Sequence, residues 1–401
     1  MSAEFPSPSL RLSAMGNLRL VIADEYSEIN LCDFGKNPAG LLEDNEGRSL
    51  IRAKGVWSKE KPESGNSLQG EGVYHYKNIT SISGEYCRSS WNFSSTGEEG
   101  EEVKYKPQFD TWKLAGALNV AHGVTPLGFS LRKREGSLFF TSQKYSVEEI
   151  KAGVGFGKEN AKLGITFTSY HSKTTFDTTA VQIISFHGIF DLSNNLTFAA
   201  QYNQGKLKKT EYYGNYYGWQ SPRKVSHNVR SFSTRGSHTI VGEPGNLKLG
   251  FQVELSNFVP YEFLGYYSYE KRKRNSWGLG MGYEYKKKWR VGMEYHRENR
   301  EEYYNPKEYF SQNEINFGGE LSNILSLFSL RLGVGLKSYE SGLFVDNYCF
   351  GIGYLAPNKL AKIDLTYNLE KSNYSYYGAL GGFNPTDRTL GFLLTLYSKT
   401  K

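Results

Sequence analysis

The sequence predicts an all-β fold, an antiparallel transmembrane β-barrel of about 14 strands within a range of roughly 14 to 18. Three observations point there. Segments with a two-residue apolar/polar repeat recur from about residue 110 to the C-terminus. These segments run to about nine to thirteen residues, against roughly five or six for an ordinary strand. Aromatic residues make up 15% of the chain while its mean hydropathy is only −0.54. A tilted strand needs about 9–11 residues to cross a bilayer. A barrel with a polar lumen and aromatic girdles has this composition.

The repeat is clearest in four places. In Ser276–Lys286, Trp277, Leu279, Met281, Tyr283 and Tyr285 alternate with Gly and polar residues. In Lys248–Leu255, Leu249, Phe251, Val253 and Leu255 alternate with Lys248, Gly250, Gln252 and Glu254. Ser326–Lys337 and Leu360–Glu370 follow the same rule, placing Arg331, Lys337, Lys362 and Asp364 on their polar faces. Successive side chains of a strand point to opposite faces. A core built from the polar faces would bury charges at several kcal/mol each. Apolar faces in lipid and polar faces in a wet lumen avoid that cost. Trp112, Trp277, Trp289, Tyr367 and Tyr397 fall near segment ends, where interfacial girdles sit.

Short connections carry turn chemistry: KENA (158–161), LSNN (192–195), GEPGN (242–246), KKK (286–288) and APNK (356–359). Long ones span 205–228, 298–309 and 371–387. Outer-membrane barrels have short periplasmic turns and longer outside loops. The stretch 256–275 breaks the short–long alternation. Residues 48–110 alternate weakly and read either as three further strands or as part of a loop.

Other classes find little support. The net charge of +7 is spread out, and the basic runs EKRKRN (270–275) and YKKKWR (285–290) lie between alternating segments. With no recognition helix or zinc spacing, nucleic acid is not an expected partner. Cys32, Cys87 and Cys349 are far apart, so neither a metal site nor a redox pair is expected, and at most one disulfide can form. The seven histidines show no metal-binding spacing. Ser–His neighbours in YHSK (170–173) and GSHT (236–239) face opposite ways on a strand and cannot form a nucleophile–base pair. His187 and Asp191 share a face, an arrangement read as strand polarity. The chain is expected not to be an enzyme and to need no cofactor. No apolar run is long enough for a transmembrane helix. The opening MSAEFPSPSLRL has neither a basic nor an apolar leader region, and Ser2–Ala3–Glu4 looks like the tail of a cleavage site. The expectation is that a signal peptide has been removed and a start Met added.

The N-terminal stretch LRLSAMGNLRLVIADEYSEINLCDFGKNPAGL (10–41) lacks the alternation seen further on. It carries a Met15–Gly16 step, an Ala23–Asp24 pair and the run Asn37–Pro38–Ala39–Gly40–Leu41. In order and spacing these resemble the start of the FadL-type outer-membrane transport proteins, a superfamily that includes PorV-like barrels. The match covers about 30 residues; LCDFGK (31–36) is extra, and the usual glycines after Met-Gly are replaced by Asn17–Leu18–Arg19. The resemblance implies that residues 1–47 form a hatch inside the lumen of a barrel made by residues 48–401. Asp24, Asn37, Pro38, Ala39 and Gly40 would be its hatch and gating residues. The chemistry of the run suits a compact knot: Pro38 fixes its own φ and disfavours helix at Asn37, and Gly40 permits a tight reversal. An ordinary turn leading into the first strand is the other reading.

The expected function is therefore binding or passage of small, hydrophobic molecules across a bacterial outer membrane, with membrane lipid around the barrel. The alternative is a structural, PorV-like barrel that works with envelope or secretion proteins and transports nothing.

Overall fold

The computed structural model describes residues 49–398 apart from 61–62, 77–78, 97–101, 121–124, 138–143, 159, 175–176, 194, 212–213, 216–217, 220–222, 264–265, 271, 287, 302–308, 341–342 and 375–385, together with Met15, Leu18 and Leu20. Every barrel strand pairs antiparallel with its neighbours in sequence, and the first pairs with the last, so the sheet closes on itself.

Eighteen strands make the wall. They are β1 (Leu50–Glu60), β2 (Glu63–Tyr76), β3 (Thr80–Thr96), β4 (Gln108–Val120), β5 (Thr125–Ser137) and β6 (Lys144–Lys158). Next come β7 (Ala161–Lys173), β8 (Asp177–Ser193), β9 (Leu196–Glu211), β10 (Arg223–Val241), β11 (Gly245–Ser256) and β12 (Arg274–Tyr285). The last six are β13 (Trp289–Glu301), β14 (Tyr309–Ile324), β15 (Phe328–Tyr339), β16 (Leu343–Leu355), β17 (Ala361–Tyr374) and β18 (Thr386–Tyr397). The count corrects the expected 14. Three of the additional strands are β1–β3, in the weakly alternating stretch 48–110.

The connections sort cleanly by end. At the turn end, which also holds both ends of the sheet, they span 77–79, 121–124, 159–160, 194–195, 242–244, 286–288, 325–327 and 356–360. At the loop end the longest span 97–107, 212–222, 257–273, 302–308 and 375–385. The irregularity expected at 256–275 disappears, because 257–273 is one loop with its own hairpin, Val259–Phe263 against Tyr266–Glu270. The strands also run further than the sequence indicated: the β9–β10 ladder continues to Glu211↔Arg223, well into the stretch read as a long loop.

Side chains sort by parity. Leu279, Met281, Leu332, Phe350 and Leu365 are exposed on the outer face, while Arg331, Asp364 and Thr366 are buried inside. Aromatic pairs mark both edges of the outer belt. Trp277–Tyr295 and Tyr86–Trp112, with ring centroids 5.1 and 5.7 Å apart, lie toward the loop end. Tyr283–Trp289 and Phe328–Tyr354, at 5.4 and 5.3 Å, lie at the turn end. Trp277 and Tyr285 are eight residues apart on one strand, about 26 Å along it, or roughly 20 Å along the membrane normal at a 40° tilt. That matches a hydrocarbon slab flanked by interfacial rings. Tyr367, expected at an edge, instead sits outward near mid-strand in β17.

Candidate functional site in the lumen

A barrel of 16–18 strands is too wide for its own side chains to fill. Its inner wall is nevertheless buried from mid-height to the turn end: Glu294 and Asp364 are 0% exposed. Three features of that wall stand out.

The first is a row of glycines. Gly282 on β12, Gly292 on β13, Gly318 on β14 and Gly333 on β15 lie directly opposite one another across the sheet, all on the inner face. Cys349 on β16 continues the row, and Gly280 opposite Gly250 lies beside it. With no side chains, this patch is a smooth backbone floor against which another chain segment can lie closely. Met15 and Leu20 lie there. The Met15 carbonyl oxygen occupies the space that a β-carbon on Gly318 would need, and the Leu20 carbonyl oxygen is 2.7 Å from that position on Gly250. The Leu20 N–H donates to Glu294 Oε1, while Glu294 Oε2 lies 3.0 Å from His296 Nε2. Met15 and Leu18 are fully buried and Leu20 nearly so.

The second is an ion-pair arc at the turn end. Arg331 Nε donates to Glu320 Oε2 at 2.7 Å, and its Nη1 donates to Asp364 Oδ1 at 2.6 Å. Arg290 bridges Glu320 at 2.9 Å and Glu284 at 3.1 Å. Lys362 Nζ lies 3.8 Å from Asp364. The arc ties β12 through β17 together by way of Gly353, where any side chain would collide with the Arg331 guanidinium. Arg331, Lys362 and Asp364 thus face the lumen as their alternation required, and Lys337, 4.0 Å from Glu314, does so nearer the loop end.

The third is an apolar cluster on the inner face toward the loop end: Phe109, Tyr145, Val147, Tyr170, Val181, Ile183, Leu207 and Val229, joined by Phe258 from the 257–273 loop. Phe109 meets Tyr145 edge-on at 5.9 Å, and Arg134 stacks 4.7 Å above the Phe109 ring.

The hatch residues named from sequence, Asp24, Asn37, Pro38, Ala39 and Gly40, lie outside the described residues. So does the rest of the FadL-like motif except Met15. Glu294 and the glycine row escaped the sequence reading, because only strand register assembles them. Register also brings His75 Nδ1 to 2.6 Å from Ser81 Oγ across the β2–β3 hairpin. The Asp191 carboxylate accepts from the Thr197 hydroxyl. Cys87 and Cys349 are buried. Among the described residues no group of His, Cys, Asp or Glu is arranged to hold a metal ion.

No protein-family model matches the sequence, and comparison with characterised proteins returns no match. Solved structures do match. The ferric-catecholate import receptor Fiu of E. coli K12, in its open form, superposes with a TM-score of 0.54 at 8% identity, over 88% of this chain and 82% of that one. OccK8 (OprE) of Pseudomonas aeruginosa gives 0.50 at 9% identity, over 88% and 98%. The toluene transporter TodX of Pseudomonas putida aligns over 98% of both chains at 11% identity, but its TM-score of 0.41 is too low to carry weight. The likeness is one of fold. This chain has the closed antiparallel β-barrel fold of those outer-membrane proteins.

Proposed function

We propose that the barrel passes small molecules across the outer membrane and that residues 1–47 form a hatch within its lumen. The observation that carries this reading is the seat of Met15 and Leu20 on inward glycines, held by Glu294. An eighteen-stranded barrel without a filling would leave an aqueous channel. In this reading residues 1–47 fill it, resting in part on a side-chain-free floor that lets them be displaced. Asp24 and Asn37–Gly40 belong to the same segment and are its gating residues in this reading. The apolar cluster toward the loop end supports a hydrophobic substrate, since it offers an apolar station on an otherwise polar wall. It also supports an origin for that substrate on the loop side.

The PorV-like reading, a scaffold without transport, draws support from the Glu320–Arg331–Asp364 arc, which makes the turn end of the wall charged and tightly tied. Deleting residues 1–47 separates the two. The hatch reading expects unchanged β content by circular dichroism and faster entry of a small dye into liposomes carrying the barrel. A folded deletion variant as impermeable as the full chain would defeat the transport reading. Loss of folding would make the segment part of the wall's own assembly.

A further inference from the structure

Above the lipid belt the outer wall pairs cations with carboxylates in several places. Arg88 pairs with Asp110 at 2.8 Å, Lys133 with Glu135 at 2.7 Å and Lys273 with Glu301 at 3.3 Å. The β7–β10 sector instead gathers several exposed cations on one face. On β7–β10 the outward residues of the loop-side halves include Lys173, Lys206, Lys208, Lys224 and Arg230, all exposed, and no Asp or Glu. The nearest outward carboxylate, Glu148 on β6, stands opposite His171.

Register arranges these cations around a neutral trough. Thr178, Ala180 and Gln182 on β8 form its floor, with Lys173 on β7 opposite Thr178. Lys206 and Lys208 on β9 stand opposite Gln182 and Ala180. Arg230 on β10 stands opposite Gln204, one outward step from Lys206. The two basic sides are separated by two strand spacings, about 9.5 Å. Lysine and arginine side chains reach across that gap to a phosphate between them.

The height fits a lipid headgroup. Lys206, Lys208, Lys173 and Arg230 lie ten to twelve residues from the turn ends of their strands, about 25–30 Å along the membrane normal for strands tilted by ~40°. That is the upper edge of the hydrocarbon. Immediately below, Phe167, Ile184, Phe186, Tyr202 and Phe232 are exposed on the same face, at the level of acyl chains. Cations stacked directly over apolar side chains complement an anionic amphiphile, not a soluble anion.

We propose that this sector is a binding site for a phosphorylated lipid of the leaflet on the loop side, which in an outer membrane is the lipid A part of lipopolysaccharide. The site depends on the outer belt facing lipid and on the loop end facing outward, but not on transport or on the hatch.

The test uses the full chain, delipidated in neutral detergent, and titrates it with bisphosphorylated lipid A, its dephosphorylated form and inorganic phosphate, read by native mass spectrometry. The expected result is binding of the bisphosphorylated lipid at least about tenfold tighter than of the dephosphorylated one, with no displacement by inorganic phosphate. The K206Q/K208Q/R230Q variant should bind about a hundredfold more weakly, at roughly fivefold per charge near an anionic headgroup. The control K133Q/R388Q, on other sectors, should bind as the wild type does. Equal binding of the two lipids by the wild type, which requires no variant to fold, would overturn the proposal. Displacement by inorganic phosphate, or unchanged affinity in a triple variant that still shifts on a gel after boiling, would overturn it too.

Discussion

The carbonyl oxygen of Met15 lies where a side chain on Gly318 would begin. Two residues some three hundred positions apart thus define how closely the N-terminal stretch approaches the wall, and the glycine row exists at the height where that approach is made.

Gly318→Val should therefore expel the segment and leave the wall intact, since valine suits a strand and Gly318 sits within one. The expected outcome is unchanged β content, with residues 1–47 newly open to limited proteolysis and faster dye entry into liposomes. Glu294→Gln keeps an acceptor for the Leu20 N–H but removes its charge, and should act in the same direction more weakly, by about 1 kcal/mol. A Gly318→Val protein as protease-resistant as the wild type would show that the contact does not hold the segment.

Cys349 offers a spectroscopic handle on the same question. It continues the glycine row opposite Gly333 and is buried, its thiol 3.4 Å from Asn347 Oδ1. In a background with Cys32 and Cys87 replaced by serine, Cys349 should react slowly with a maleimide dye in the full chain. It should react at least about tenfold faster, a change worth about 1.4 kcal/mol in accessibility, once residues 1–47 are removed. Equal rates would place the segment away from that part of the wall.

Arg331 holds two carboxylates in a buried site, 2.7 Å from Glu320 and 2.6 Å from Asp364. Arg331→Met leaves both without their shared partner and should cost about 3–5 kcal/mol. Asp364→Asn added to it should recover part of that loss, because one orphaned charge disappears. Urea unfolding of the barrel in vesicles measures both. Additive destabilisation would mean that the two groups do not act as one unit.

Lipid exposure predicts a depth-dependent cost on the outer face. Leu365 lies outward near the middle of the belt and Leu396 outward at the turn end. Leu365→Arg should cost about 2–4 kcal/mol, and Leu396→Arg about 0–1. The same unfolding assay reads the difference, and equal costs would remove both sites from a bilayer gradient. Thr366 is no inner-face control for these substitutions, because it is packed into the inner wall at 3% exposure.

The barrel was legible in the sequence wherever one face of a strand is continuously apolar, as in Ser276–Lys286. It was not legible in β2, whose outward face reads Leu68, Gly70, Gly72, Tyr74; two glycines erase the alternation that announces a strand, and the expected count fell short. Nor do strand ends show above the bilayer. Lys208, Lys209 and Thr210 are polar on both faces of β9, so periodicity stops while the hydrogen-bond ladder continues. The expected irregularity at 256–275 had the same root, since Val259–Tyr267 has the composition of a strand but pairs only within its own loop. The inner wall was legible residue by residue, as Arg331, Lys362 and Asp364 show, but not as a site. Gly282, Gly292, Gly318 and Gly333 lie in four different strands, and nothing in any one strand says that they share a row.

The β1–β18 pairing, Leu50↔Tyr397 through Glu60↔Asp387, differs from every other ladder of the barrel. All the others join neighbours along the chain and can form one hairpin after another at small loop-closure cost. This one joins opposite ends of the polypeptide, so the entropic barrier to folding is concentrated in a single zipping event. In sequence, residues 1–47 lie just ahead of β1, one of the two strands of that seam. A segment that ends up inside a closed cylinder must be within the curling sheet before the seam zips or be threaded through an open end afterwards. Under the hatch proposal, the closure of this one strand pair is the event that divides the two routes, encapsulation before it and threading after it.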